Sequence, residues 1–127
     1  MTTTRRALCA TLLFGVATVV SSSAQAPARG QNIAPVYEGF WKNADGSFDL
    51  MFGYYNRNWE EAIDVSVGPD NHFEPGEIDT GQPTYFYTRA HRRVFSFTVP
   101  SDFGDRQVVW NLTVRGERLR AVGWLEP

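Results

Sequence analysis

From Val36 onward, apolar side chains recur at every second position. Phe48, Leu50, Phe52 and Tyr54 alternate with Ser47, Asp49, Met51, Gly53 and Tyr55. Val108, Trp110, Leu112 and Val114 alternate with Gln107, Val109, Asn111, Thr113 and Arg115. A period of two sends successive side chains to opposite faces of an extended strand, whereas an amphipathic helix would repeat near 3.6. No long stretch after Val36 has helical spacing. The alternation predicts strands over 36–43, 47–56, 61–67, 84–89, 92–99, 107–115 and 118–125, with turns at Asn43-Ala44-Asp45-Gly46, Asn56-Arg57-Asn58 and Arg115-Gly116-Glu117. Seven strands with turn signals this close are expected to form an antiparallel β-sandwich, because each strand must bury one face.

The first 24 residues read differently. Met1–Arg6 is basic, Ala7–Val20 is apolar and Ser21–Ala24 is small and polar. The apolar run falls short of the about 20 residues that span a bilayer as a helix. The layout predicts a signal-peptide helix over 1–24, cleaved after Ala24 in preference to Ala26, because Pro27 restricts the backbone next to the second site. Thr4-Arg5-Arg6-Ala7-Leu8 partly matches a twin-arginine signal, but a general secretory signal is the simpler reading. Cys9 lies at the start of the apolar run and not after it, which argues against a lipoprotein site. Residues 25–35, with Pro27, Gly30 and Pro35, read as a flexible linker, and 36–127 as the single folded domain. The expected product is periplasmic or extracellular, with no membrane span after cleavage.

Charge and cysteine content narrow the function. Arg5 and Arg6 leave with the signal, while all 14 acids stay against the remaining basic residues of the chain's 12. A mature domain with an acidic excess offers no general surface for nucleic acid, which needs clustered Lys and Arg. The lone cysteine, Cys9, also leaves, so no disulfide and no thiolate metal site is expected. The domain must be held by its apolar core alone.

Three runs, Tyr37-Glu38-Gly39-Phe40-Trp41, Asp45-Gly46-Ser47-Phe48 and Phe52-Gly53-Tyr54-Tyr55-Asn56-Arg57-Asn58, together resemble a group of small exported bacterial proteins of unknown function. Val67-Gly68-Pro69-Asp70-Asn71, Gly81-Gln82-Pro83-Thr84 and Val99-Pro100-Ser101-Asp102-Phe103-Gly104-Asp105 extend the resemblance over nearly all of 36–127. It implies export and a single domain, and transfers no activity, cofactor or site residue. Members of the group continue a little past the position of Pro127, which implies a slightly short C-terminus here. Val108-Val109-Trp110-Asn111-Leu112 followed by Gly116 is similar to the late strands of immunoglobulin-like and fibronectin-like sandwiches, without the immunoglobulin disulfide pair.

Two places stand out as candidate sites. Tyr55, Asn56, Arg57, Asn58 and Trp59 bring aromatic and hydrogen-bonding side chains to a turn, where they would contact a protein or stack on a glycan. The competing explanation is that the rings pack the sandwich edges. In the loop over 68–83, Asp70, Asn71, Glu74, Glu77 and Asp79 could supply oxygen ligands to calcium, although their spacing does not match the known calcium-loop pattern. A solvated acidic loop, whose charges aid solubility, is the simpler explanation.

Other features carry less. His72 and His91 are 19 residues apart and form no local metal motif. Arg89, Arg92 and Arg93 are the one basic cluster, expected to pair across strands with Asp and Glu. Asn111-Leu112-Thr113 is a formal glycosylation sequon inside a predicted strand. No Gly-x-Ser-x-Gly elbow is present, and Ser47, Ser66, Ser96 and Ser101 lack a nearby histidine, so catalysis has no anchor in the sequence. The expectation is a non-catalytic binding or assembly module without a cofactor, whose partner is a protein or a glycan. A carbohydrate-binding module is the second reading, and a small hydrolase or metal-dependent enzyme the third.

Overall fold

The computed structural model describes residues 15–19 and 27–126. Residues 15–19 carry no regular secondary structure, and the rest of the expected signal-peptide helix, with its cleavage site, lies outside the described residues. Among the described residues the regular elements are eight strands and no helix. They are β1 (Ile33–Lys42), β2 (Phe48–Asn56), β3 (Ile63–Asp64), β4 (Asn71–Glu74), β5 (Tyr85–Phe86), β6 (Arg89–Val99), β7 (Gln107–Val114) and β8 (Glu117–Trp124). They form three antiparallel sheets of order β1-β2-β6, β3-β5 and β4-β7-β8.

The turns form for local reasons. Between β1 and β2, Gly46 N–H donates to the Asn43 carbonyl at 3.0 Å, and Asp45 Oδ1 accepts from Ser47 N–H at 3.0 Å. Between β7 and β8 the two turn residues, Arg115 and Gly116, both have positive φ (51° and 75°). That combination matches the right-handed twist of the flanking strands.

The inward set is the one the alternation predicts. Leu50 and Phe52 on β2, and Trp110 and Leu112 on β7, are completely buried. Trp110 sits at the centre: its ring stacks on Phe73 at 5.6 Å and 9°, and meets Phe52 edge-on at 6.1 Å. Phe95 and Phe97 of β6 close on Phe73 from the other side at 5.3 and 5.1 Å. Each large apolar side chain buried contributes about 1.5–3 kcal/mol, and each well-placed aromatic pair about 0.5–1.5 kcal/mol more. Without a disulfide, burial of this core, aromatic and aliphatic together, is what opposes the ordering entropy.

Three differences from the sequence reading have physical causes. The segment read as a loop over 68–83 contains β4, which pairs with β7. Its inward positions are Phe73 and Asn71, and Asn71 is fully buried. Trp110 Nε1–H donates to Asn71 Oδ1 at 2.9 Å, while Asn71 Nδ2 donates to the carbonyls of Val65 (3.0 Å) and Pro83 (2.7 Å). An amide with every partner satisfied replaces an apolar residue there, so the apolar alternation is broken at the strand's first position.

Secondly, the strands expected over 61–67 and 84–89 shrink to the two-residue β3 and β5, and Arg89 opens β6 instead. Thirdly, the flexible linker expected over 25–35 gives way, from residue 27 on, to fixed backbone. Ile33, 1 % exposed, already belongs to β1. Ahead of it, the Pro27 and Ala28 carbonyls accept from the N–H groups of Trp59 (3.1 Å) and Glu60 (2.9 Å). Arg115 Nη1 donates to the Gln31 carbonyl at 2.8 Å, and its Nη2 is bonded to Glu61 Oε1.

Candidate functional site

The turn 55–59 divides in two. Asn56 and Asn58 are fully buried and serve the backbone. Asn56 Nδ2 donates to the carbonyls of Glu61 (2.8 Å) and Phe86 (3.1 Å), and its Oδ1 accepts from Asn58 N–H at 3.0 Å. Asn58 Oδ1 and Nδ2 grip Gln31 N–H at 2.7 Å and Gln31 carbonyl at 2.8 Å. These two asparagines are therefore pins between segments and are not displayed for binding, contrary to the expectation from the turn. Tyr55 is partly exposed, Arg57 is exposed and Trp59 is half exposed.

The register of β2 with β6 sets Asn56 opposite Arg89. That pairing brings the Arg89 guanidinium over the Trp59 ring at 3.6 Å from its centroid and within 5.7 Å of the Tyr55 ring. Arg89 Nη1 also donates to the Tyr55 hydroxyl at 3.3 Å. Nearby, Arg93 lies 6.0 Å over the Trp41 ring. A cation over an aromatic face gains about 0.5–1 kcal/mol where it is exposed. The expectation that Arg89, Arg92 and Arg93 pair with carboxylates is not met. Among the described residues the ion pairs are His72–Glu74, Arg106–Asp102 and Arg115–Glu61. The reason is visible in the neighbouring acids: Glu38 accepts from the Arg93 backbone N–H, and Asp49 accepts from Thr98 Oγ1 at 2.6 Å.

Glu38 reaches Arg93 across the middle strand because Gly53 lets it pass. Strand pairing is irregular on both sides of Gly53, between Tyr37 and Phe40 on β1 and opposite Phe52–Tyr54 on β6. A Cβ at Gly53 would lie 2.6 Å from the His91 carbonyl oxygen and 2.8 Å from Glu38 Oε2. Beside this point is a shallow groove of about 300 Å³ lined by Val36, Glu38, Tyr54, Tyr55, Ala90, His91 and Arg92. The His91 ring stacks on Tyr54 at 5.1 Å and holds the Thr88 carbonyl through Nε2 at 2.9 Å. Burial pushes the Tyr54 phenol above its ordinary pKa, against the lowering effect of the Tyr87 N–H that donates to it at 3.0 Å. Tyr85 and Tyr87, both exposed, meet at 4.8 Å and 73°. Sequence reasoning named Tyr55 and Trp59 but missed Arg89 as their partner. Arg89 is 34 residues from Tyr55 and 30 from Trp59, and no local spacing encodes the contact.

The acidic residues of 70–79 do not converge. Asn71 is spent in the core, Glu74 Oε1 is bonded to His72 Nε2 at 2.9 Å, Asp79 Oδ1 accepts from Gly81 N–H at 3.0 Å, and Asp70 and Glu77 are exposed. Among the described residues no group of three or more His, Cys, Asp and Glu side chains is placed to hold a metal ion. His72 and His91 belong to different sheets. No helix of the described residues is long and apolar enough to cross a membrane. Compared with protein-family models, with curated proteins and with solved structures, the chain matches none.

Proposed function

We propose that this chain is an exported, non-catalytic recognition module with an immunoglobulin-like β-sandwich body, and that it binds an acidic protein partner through the outer face of β1, β2 and β6. Export is supported by the basic, apolar and small-residue layout of 1–24 and by the resemblance to small exported bacterial proteins. The immunoglobulin-like reading is supported by strand order. Two sheets ordered β1-β2-β6 and β4-β7-β8 correspond to the A-B-E and C-F-G orders of that fold. The buried tryptophan is on β7 rather than on the third strand position, and β5 pairs with β3 instead of extending the first sheet.

One observation carries the choice of partner: the Arg89 guanidinium lies on the Trp59 ring and beside Tyr55, with no carboxylate of the described residues within ion-pair distance. A stacked guanidinium keeps its in-plane N–H donors free for an incoming carboxylate. Tryptophan, tyrosine and arginine are also the side chains that dominate protein interfaces. The glycan reading has exposed Trp59 in its favour. Against it, Arg89 covers one face of that ring, and Tyr85 and Tyr87 meet at 73°, which leaves no flat pair of rings. Titration with a Glu- and Tyr-rich peptide tests the proposal, with a neutral peptide and a neutral glycan panel alongside. The acidic peptide is expected to bind, to weaken with salt, and to be lost on Arg89→Met or Trp59→Ala while the melting temperature holds. Binding of neutral glycans with no response to Arg89→Met would replace this reading by the carbohydrate one.

A further inference from the structure

The opposite side of the molecule carries a separate cleft of about 760 Å³, open on the outer face of β4, β7 and β8. Its lining is graded in charge. On β4 are His72 and Glu74, on β7 Asn111 and Thr113, and on β8 Arg118 and Arg120. Register places His72 opposite Asn111 and Asn111 opposite Arg120, while Thr113 faces Arg118. The inward neighbours of these residues, Asn71, Phe73, Leu112 and Ala121, are buried, so the polar set shares the outward face.

Neither Arg118 nor Arg120 has a carboxylate within ion-pair distance among the described residues. They are two positions apart on one strand, so their side chains leave the sheet on the same side about 7 Å apart. The acids are on the far rim: Glu74, bonded to His72 at 2.9 Å, and Asp70, just before β4. Two strand spacings of about 4.8 Å separate the rims by roughly 10 Å. An anion alone would meet the acids, and a cation alone would meet the arginines. The ligand that satisfies both rims carries an anionic group at one end and a cationic group at the other.

We infer that this cleft binds a short peptide with free termini. Its carboxylate sits between Arg118 and Arg120, its ammonium faces Glu74 and Asp70, and its backbone lies across Asn111 and Thr113. An extended tripeptide spans about 10 Å, which matches the distance between rims. The amide of Asn111 and the hydroxyl of Thr113 each offer a donor and an acceptor to the peptide groups between the ends.

The test is calorimetric or NMR titration of the whole protein with three probes: free trialanine, N-acetyl-trialanine and trialanine amide. Free trialanine is expected to bind. Each capped form should bind at least about 10-fold more weakly, because each loses one charge-assisted contact. The double variant Arg118→Gln, Arg120→Gln should lose the preference for a free carboxylate. Asp70→Asn with Glu74→Gln should lose the preference for a free amine. All four side chains are surface groups, so melting should be unchanged and loss of binding can be read as loss of contact. Trp59→Ala and Arg89→Met should leave trialanine binding intact, which separates this cleft from the proposed protein-binding face. Equal binding of the free and capped peptides would overturn the inference. So would inorganic phosphate binding as tightly as trialanine, or no binding of trialanine at millimolar concentration.

Discussion

On the outer face of β1, β2 and β6, arginines lie on tryptophan and tyrosine rings, and the nearby acids are engaged by a backbone N–H and a threonine hydroxyl. On the outer face of β4, β7 and β8 the cleft is lined by no Trp, Tyr or Phe, the exposed Trp124 standing beyond it at the end of β8, and charge runs from acids on one rim to arginines on the other. Yet the inner faces of the same two sheets are alike. Leu50 and Phe52 from one, and Phe73, Trp110 and Leu112 from the other, enter one continuous core. The contrast separates two kinds of constraint. Inward positions answer to burial, which any sequence of this size without disulfides must satisfy in much the same way. Outward positions are released from that demand, so chemistry can diverge there, and function is read from them.

The largest effect is expected where the two faces share their support. Trp110→Ala removes the ring that touches Phe52, Phe73 and Phe86, and should cost about 3–5 kcal/mol. Urea unfolding measures the loss, and binding at both faces should fail together. Near-wild-type stability would mean that the faces do not depend on one core. A smaller and one-sided effect is expected from Asn71→Ala. It strands the Trp110 N–H and two carbonyls beneath β4, and should cost about 2 kcal/mol. Hydrogen exchange should speed up at the amides of β4 and the adjoining part of β7, with little change at β1. Uniform acceleration would blur the division between the two regions.

The smallest effect concerns the clamp from the β7–β8 turn to the N-terminal segment. The hydrogen bond from Arg115 holds the Glu61 carboxyl below the usual glutamate range, opposed by partial desolvation and helped by Gly30 N–H. A depressed carboxyl pKa contributes stability that is complete above the unfolded value, about 4.3, and is lost as pH falls through the folded value. Melting curves of wild type and Glu61→Gln should therefore converge below that range and diverge modestly at neutral pH. Asp45, lowered by the Ser47 hydroxyl and N–H, has the same sign and is common to both proteins, so it cancels from the difference.

Which parts were legible follows from the same division. β2 and β7 could be read to within a residue because the inward positions from Phe48 to Tyr54 and from Val108 to Val114 are all apolar or aromatic. β4 could not, since Asn71 takes an inward place and Pro69 and Pro75 bracket the strand. Its amide is acceptable in the core only because Trp110, Val65 and Pro83 arrive there, and that depends on the folded chain. Asn56 and Asn58 misled for the matching reason. Polar residues in a turn suggest display, while their partners at Gln31 and Phe86 are 27 and 30 residues away. Of the candidate site, Tyr55 and Trp59 were readable as outward aromatics; Arg89 as their cap, and the graded cleft across β4, β7 and β8, required the register of strands distant in sequence.

Tryptophan accessibility tests the central division most directly. Trp110 is completely buried, whereas Trp41 and Trp59 are 58 % and 50 % exposed on the aromatic side and Trp124 is 41 % exposed. Iodide quenching of single-tryptophan variants, with the other three replaced by Phe, should find Trp110 blue-shifted and nearly unquenched, and Trp59 quenched readily. Trp110 emission that is red-shifted and quenched as strongly as that of Trp59 would contradict the shared core, and with it the assignment of binding to the outward faces.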